Sequence, residues 1–194
     1  DRSPSRGLGD VYKRQLQSYF VRRIEKWLQA RGREIIGWDE ILQGGISKSA
    51  TIMSWNGQAP GIKAARLGNP VIMTPKWYCY FDYSQTSDPA RYEPLCNIRY
   101  LSVRQVYRLD PLDQLAQPHW QQILGVQCNL WTEYIGDIGH AQHMVLPRMA
   151  ALSEVGWAND RKEYNDFVRR LHSLRRIYEA EGYRYAPYLF EGIE

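Results

Sequence analysis

The chain has 194 residues, 44% of them hydrophobic and 24% charged, enough for one domain with a real core. Its net charge of +4 is modest, with lysine and arginine scattered rather than striped, which argues against a nucleic-acid surface. No window holds the roughly 18 apolar residues of a membrane span, and Cys79, Cys96 and Cys128 have neither metal spacing nor an even number, so no disulfide framework is implied.

The first fifteen residues, "DRSPSRGLGDVYKRQ", lack apolar periodicity and read as a disordered, mildly basic tail. Ser5 to Gln15 also resembles the translation of a transposase-type sequencing-library adapter. On that reading residues 1–15 are a non-native segment, and residues 16–194 are the remainder of a partial domain.

From Leu16 the pattern is regular. "LQSYFVRRIEKWLQARG" places Tyr19, Phe20, Ile24, Trp27 and Leu28 at helical spacing, with Gly32 as C-cap. "REIIGW" and "SATIMSW" read as short buried strands, "PGIKAARLG" as a helix ending at Gly68, and "PVIMTP" as a third strand. The stretch from Lys76 to about Gln117 is too long for a plain connector and is expected to be functional or locally structured. After it, "PHWQQILG" reads as a short helix and "VQCNLWTE" as a fourth strand. "AQHMVLPRMAALSEVGW" reads as one long apolar helix, and "KEYNDFVRRLHSLRRIYEAEG" as a closing amphipathic one.

Short apolar strands alternating with helices predict an α/β fold with parallel strands buried on both faces. Four strand–helix units make half of a (β/α)8 barrel, and are also about the size of a small doubly wound domain. No Gly-rich phosphate loop follows any strand, which argues against a nucleotide-binding sheet.

Each strand ends in a polar or aromatic cluster: Trp38, Asp39 and Glu40; Trp55 and Asn56; Tyr78, Tyr80 and Asp82; Trp131 and Glu133. Strand C-termini of a parallel fold open onto one face, so these clusters are expected to wall a pocket there. The competing reading is that the indoles are core and the acids cap helices. The aromatic content, seven Trp and fourteen Tyr, suits sugar binding, because the C–H face of a pyranose stacks on an indole. The adjacent acids Asp39 and Glu40 are the sort of pair that glycosidases use. His140 and His143 stand at i, i+3, but no carboxylate joins them at metal spacing, so a solvated or helix-packed role is expected.

In order and spacing, "GWDEIL", "ATIMSW", "VIMTPKWYCYFDYSQ", "GVQCNLWTEYI" and "LPRMAALSEVGW" resemble the β-N-acetylhexosaminidases of glycoside hydrolase family 20. The likeness runs from Leu16 to about Arg184. It implies the C-terminal half, strands five to eight, of a TIM (β/α)8 barrel, with no cofactor and no metal. The family removes terminal N-acetylglucosamine or N-acetylgalactosamine with retention, the substrate's own acetamide attacking the anomeric carbon. Its catalytic Asp–Glu pair lies in a "GGDE"-like motif after strand four, which this sequence lacks. Asp39 and Glu40 follow the next strand and would be supporting residues. By the resemblance, Trp38, Trp55 and Trp131 would wall the pocket that holds the acetamide methyl and the sugar face. Tyr80 (or Tyr78, though the "YxD" spacing favours Tyr80) would donate to the acetamide oxygen as the one catalytic group. Asp82 and Glu133 would accept from hydroxyls at the far end of the ring.

The implied partners are an N-acetylhexosamine-terminated glycan and the missing N-terminal half of the barrel, with a periplasmic or secreted location expected from the family. A half barrel leaves sheet edges and helix faces uncovered, so the chain alone is expected to be marginal and inactive. Three other readings stand beside this one: a non-catalytic sugar-binding module, a complete small glycosidase pairing Asp39 or Glu40 with Glu133, and a structural α/β domain with all aromatics in the core.

Overall fold

A computed structural model describes residues 4–193. In chain order the elements are α1 (Pro4–Gln29), β1 (Ile36–Trp38), a 3-10 turn (Asp39–Leu42), β2 (Thr51–Ser54), α2 (Ala59–Leu67) and β3 (Val71–Met73). There follow α3 (Lys76–Cys79), β4 (Tyr83–Ser84), α4 (Pro89–Tyr92), β5 (Asn97–Tyr100), α5 (Val103–Tyr107), a 3-10 turn (Gln117–Gln122) and β6 (Ile123–Val126). The chain continues through α6 (Ile138–Val145), α7 (Arg148–Ala158), a short 3-10 turn (Asn159–Arg161), α8 (Tyr164–Ala180) and α9 (Tyr188–Glu191). Two compact units result, one running to Met73 and including Gln114–Leu124, the other holding Thr74–Asp113 and the chain from Gly125 onward. No described helix is long and apolar enough to cross a membrane.

The first unit is built on a sheet of order β1-β2-β3-β6, with β1, β2 and β3 parallel. Trp38 stands beside Met53, and Ser54 beside Met73, which brings the residues after β1 and β2 to the same end. Ala50, Ile52, Val71 and Met73 are wholly buried, as central parallel strands require. The helix α2 lies close against them: a Cβ on Gly61 would meet Met73 Cε and Sδ and Ser54 Cβ at 2.9 Å. Gly32 and Gly68 end α1 and α2 in the left-handed region, at φ 66° and 90°. The Arg33 N–H bonds the Leu28 carbonyl, and the Asn69 N–H bonds that of Ala64, closing a Schellman motif at each end.

Residues 4–15 form the first part of α1, and residues 1–3 of the adapter-like segment lie outside the described residues. A helix already nucleated over 16–29 extends through "DVYKRQ" at little cost, since each added residue brings one hydrogen bond. Tyr19, Phe20, Ile24 and Trp27 of α1 are exposed. The buried positions are Ser18 and Glu25, seven residues apart, which bond the Gln43 carbonyl and Ser47.

In the second unit, β4 and β5 pair parallel, Tyr83 beside Asn97. The helix α7, which buries Ala151, Leu152 and Val155, packs against α5, which buries Val103 and Val106. Tyr107 stacks on Phe167 of α8 at 4.7 Å and donates its hydroxyl to Glu154 at 2.7 Å. The stretch after Lys76 is thus locally structured, carrying α3 to α5. The fourth strand sits earlier than expected, over "ILGV" rather than "VQCNLWTE". The expected long helix is two, α6 and α7. Pro147 has no N–H to continue the ladder and pushes Leu146 out of the helical region, to φ −99° and ψ 134°.

Candidate sugar site

In the first unit the adjacent acids turn back onto the end of β2. The Asp39 Oδ2 accepts from the main-chain N–H of Trp55 at 2.9 Å and of Asn56 at 3.0 Å, and Oδ1 accepts from Asn56 Nδ2 at 2.8 Å. Both oxygens of Glu40 accept from the Trp55 indole N–H, each at 3.0 Å. With Asp39 buried and both carboxylates engaged, this pair anchors a tryptophan. Ser54 fixes the same loop, donating to the Gly57 carbonyl at 2.7 Å and accepting from the Gly61 N–H at 2.8 Å.

The second unit holds a cavity of about 470 Å³ lined by Tyr80, Asp82, Tyr83, Asn97, Arg99, Trp131, Glu133 and Tyr134. The clusters on either side of it are tied by main chain. The Phe81 N–H bonds the Asn129 carbonyl at 2.7 Å, and the Asn129 N–H bonds that of Cys79 at 2.8 Å. Asn129 Nδ2 further donates to Thr74 Oγ1 at 2.5 Å. This pairing sets the Tyr80 ring 6.0 Å from the Trp131 indole, at 60°. Residues about fifty positions apart in sequence therefore share one wall without a regular strand between them.

Asp82 is the most telling group here. It is buried, its Oδ2 lies 3.5 Å from Asn97 Nδ2, and its Oδ1 has no hydrogen-bond partner among the described residues. Burial pushes its carboxyl above the ordinary aspartate value, helped by the nearby Glu133 charge and opposed by Asn97 and Arg148. A buried carboxylate oxygen without a donor is costly, and a ligand hydroxyl supplies one.

Beside this wall, Glu93 accepts from the Gln85 N–H at 2.5 Å and lies 2.7 Å from His143 Nε2. Burial alone would raise the Glu93 carboxyl; the His143 and Gln85 hydrogen bonds outweigh it and hold it below its usual value. His143 is thus helix-packed against a carboxylate, and no group of three metal-ligating side chains occurs among the described residues. A larger groove of about 690 Å³ between α7 and α8 has its central charges, Glu154 and Arg170, already paired at 2.7 Å, and leaves no orphaned acceptor for a ligand.

The structure therefore gathers Tyr80, Asp82, Trp131 and Glu133 in one cavity, and gathers Trp38, Asp39, Glu40 and Trp55 at one end of the first unit's sheet. Tyr78 is not among the cavity's lining residues. Sequence reading missed Tyr83, Asn97, Arg99 and Tyr134, of which Asn97 and Arg99 arrive on β5. A signal existed: a polar–apolar alternation, "NIRY", inside the long aromatic stretch.

Residues 5–160 match the family model described as the catalytic domain of glycosyl hydrolase family 20. The chain belongs to glycosyl hydrolase family 20. It is 40% identical over 182 residues to a β-hexosaminidase of Porphyromonas gingivalis, covering 92% of this chain and 23% of that protein. A β-hexosaminidase of Vibrio furnissii is 33% identical over 147 residues, covering 74% of this chain and 24% of that one. Among solved structures, the family 20 exo-β-N-acetylglucosaminidase of Vibrio harveyi in complex with N-acetylglucosamine superposes with TM-score 0.79 at 26% identity, over 95% of this chain and 30% of that one. The chain spans about a quarter of the length of these relatives, and its parallel α/β architecture is a partial family 20 barrel.

Proposed function

We propose that this chain is the sugar-binding part of a retaining, substrate-assisted β-N-acetylhexosaminidase. It acts on terminal N-acetylglucosamine or N-acetylgalactosamine and lacks the catalytic Asp–Glu pair, as no "GGDE"-like motif occurs in its sequence. The observation that carries the reading is the unpartnered, buried Oδ1 of Asp82 in a cavity that also presents Tyr80, Trp131 and Glu133. A family 20 exo-enzyme of similar fold binds N-acetylglucosamine, which supports the same ligand class here.

In this reading the indole of Trp131 takes the apolar face of the pyranose, and Asp82 and Glu133 accept from hydroxyls at its far end. Tyr80 donates its hydroxyl to the acetamide oxygen, holding it in the pose that attacks the anomeric carbon. A positioned donor to charge that develops in the transition state contributes roughly 2.7–4 kcal/mol in comparable sites. In the first unit, Trp55 is fixed through Asp39 and Glu40 as a supporting element. The acid that protonates the leaving oxygen, and the carboxylate that orients the acetamide, come from the half of the barrel outside this chain.

Hydrolysis of p-nitrophenyl N-acetyl-β-glucosaminide by the purified chain tests this reading. No turnover by soluble, folded chain is expected. Turnover abolished by Glu133→Gln would overturn it, and the complete-glycosidase reading would return. The DNA upstream of the segment is expected to encode a "GGDE"-like motif just before the helix that contains Leu16; an intact gene without one would also contradict the reading.

A further inference from the structure

The core of the second unit contains a charge that the sugar reading does not use. Arg148, at the start of α7, is 0% exposed and the largest wholly buried side chain among the described residues. Its guanidinium is spent on main-chain carbonyls: Nη2 donates to Phe81 O at 2.6 Å, Nη1 to Tyr83 O at 2.9 Å and to Leu101 O at 3.1 Å, and Nε to Met144 O at 3.2 Å. The first two acceptors flank Asp82. Asp82's own carbonyl accepts from the Asn97 N–H at 3.1 Å. Residue 82 is thus gripped on both edges, by Arg148 through its neighbours and by β5 directly. An arginine fork satisfies several fixed acceptors at once, which an ammonium on a flexible stem does not.

The geometry points to Arg148 as a positioning residue for sugar recognition: it clamps the carbonyls on either side of Asp82 and so fixes where the Asp82 carboxylate presents its unpartnered oxygen. The inference rests on the proposed role of Asp82 as a hydroxyl acceptor. It explains why a fully buried cation, costly wherever it stands, sits under a cavity wall and gives two of its hydrogen bonds to the carbonyls either side of Asp82. Arg148 touches no substrate; it acts through Asp82.

The test is a calorimetric titration of the 194-residue chain with N-acetylglucosamine and with its 4-deoxy analogue. The chain is compared with Asp82→Asn, Arg148→Lys and the double substitution, each first shown to keep its near-ultraviolet circular dichroism. The unaltered chain is expected to favour the hydroxylated sugar by about tenfold, as one hydrogen bond to a charged group would give. Arg148→Lys should bring that ratio to within about twofold of one, and the double substitution should lose no more than Asp82→Asn alone, as coupled residues do. A ratio retained in Arg148→Lys, or losses that add, overturns the role of Arg148 while leaving Asp82 as acceptor. An unaltered chain without preference overturns the sugar reading and this inference with it. If Arg148→Lys does not fold, the Arg148 Nε–H resonance of the unaltered chain decides. A larger shift with N-acetylglucosamine than with the deoxy analogue is expected, and equal shifts overturn the inference.

Discussion

Replacing Asp39 by alanine should loosen the first unit by removing the acceptor that three donors share. The Asp39 carboxylate is buried and takes the Trp55 and Asn56 main-chain N–H groups and the Asn56 side-chain amide. Asn56 is exposed, so its groups regain water at little cost; the half-buried Trp55 N–H does not. One stranded donor costs about 1–3 kcal/mol, and the two rehydrated bonds about 1 kcal/mol together, giving about 2–4 kcal/mol in total. Asp39→Asn keeps one carbonyl oxygen but turns an amide toward Asn56 Nδ2, and should cost about half as much. The assay is urea unfolding followed by tryptophan fluorescence. With a slope of about 2 kcal/mol per molar urea, the Asp39→Ala midpoint should fall by about 1–2 M. Asp160→Ala, at an exposed ion pair with Arg161, is the control and should barely move it. A change of less than about 0.5 kcal/mol in Asp39→Ala, the scatter of ordinary surface substitutions, would refute the view of the "WDE" acids as anchors.

Other consequences are open to the same methods. Gly61→Ala should destabilise by about 1–3 kcal/mol in urea unfolding, because its Cβ would press on Met73 and Ser54 at 2.9 Å. Glu93→Gln should cost about 1–3 kcal/mol at neutral pH. The Glu93 carboxyl is held low in the folded chain, so its contribution is complete above the ordinary glutamate value and is lost as pH falls through the folded one; the two unfolding curves should then converge in acid. Asp82 behaves in the opposite sense. Its raised carboxyl is a cost to folding above its own pKa, relieved as pH falls through it. Sugar binding, which needs the ionised acceptor, should weaken over that same window, at a higher pH than for an exposed aspartate.

How much of this was legible beforehand depended on whether local chemistry decided it. Gly32 and Gly68 announced their helix ends because each needs a left-handed residue just past the last turn. The strands β1, β2 and β3 were legible as apolar runs between turn residues. Pro147 carried its own signal, and reading "AQHMVLPRMAALSEVGW" as one helix ignored what a proline does to the residue before it. The fourth strand slipped because "VQCNL" alternates apolar and polar residues as a half-buried strand does, and the bridge between Asn129 and Tyr80 shows that the chain leaves the regular ladder there. The spacing of the α1 aromatics marked a helix: periodicity identifies a helix, and cannot say what lies beside it. In the site, Tyr80, Asp82, Trp131 and Glu133 stood out as chemistry at strand ends. Asn97 and Arg99 did not, because a two-stranded pairing inside a long connection brings them in. Arg148 was invisible in sequence, since a buried arginine reads like any surface one until its carbonyl partners are seen.

The central claim is that the cavity of Tyr80, Asp82, Trp131 and Glu133 holds an N-acetylhexosamine, and a titration followed by tryptophan fluorescence tests it most directly. The folded chain should show a saturable change with N-acetylglucosamine, weakened roughly tenfold or more in Asp82→Asn, where the orphaned oxygen loses its charge. A folded chain whose fluorescence ignores the sugar, or whose affinity is untouched by Asp82→Asn, would contradict the account.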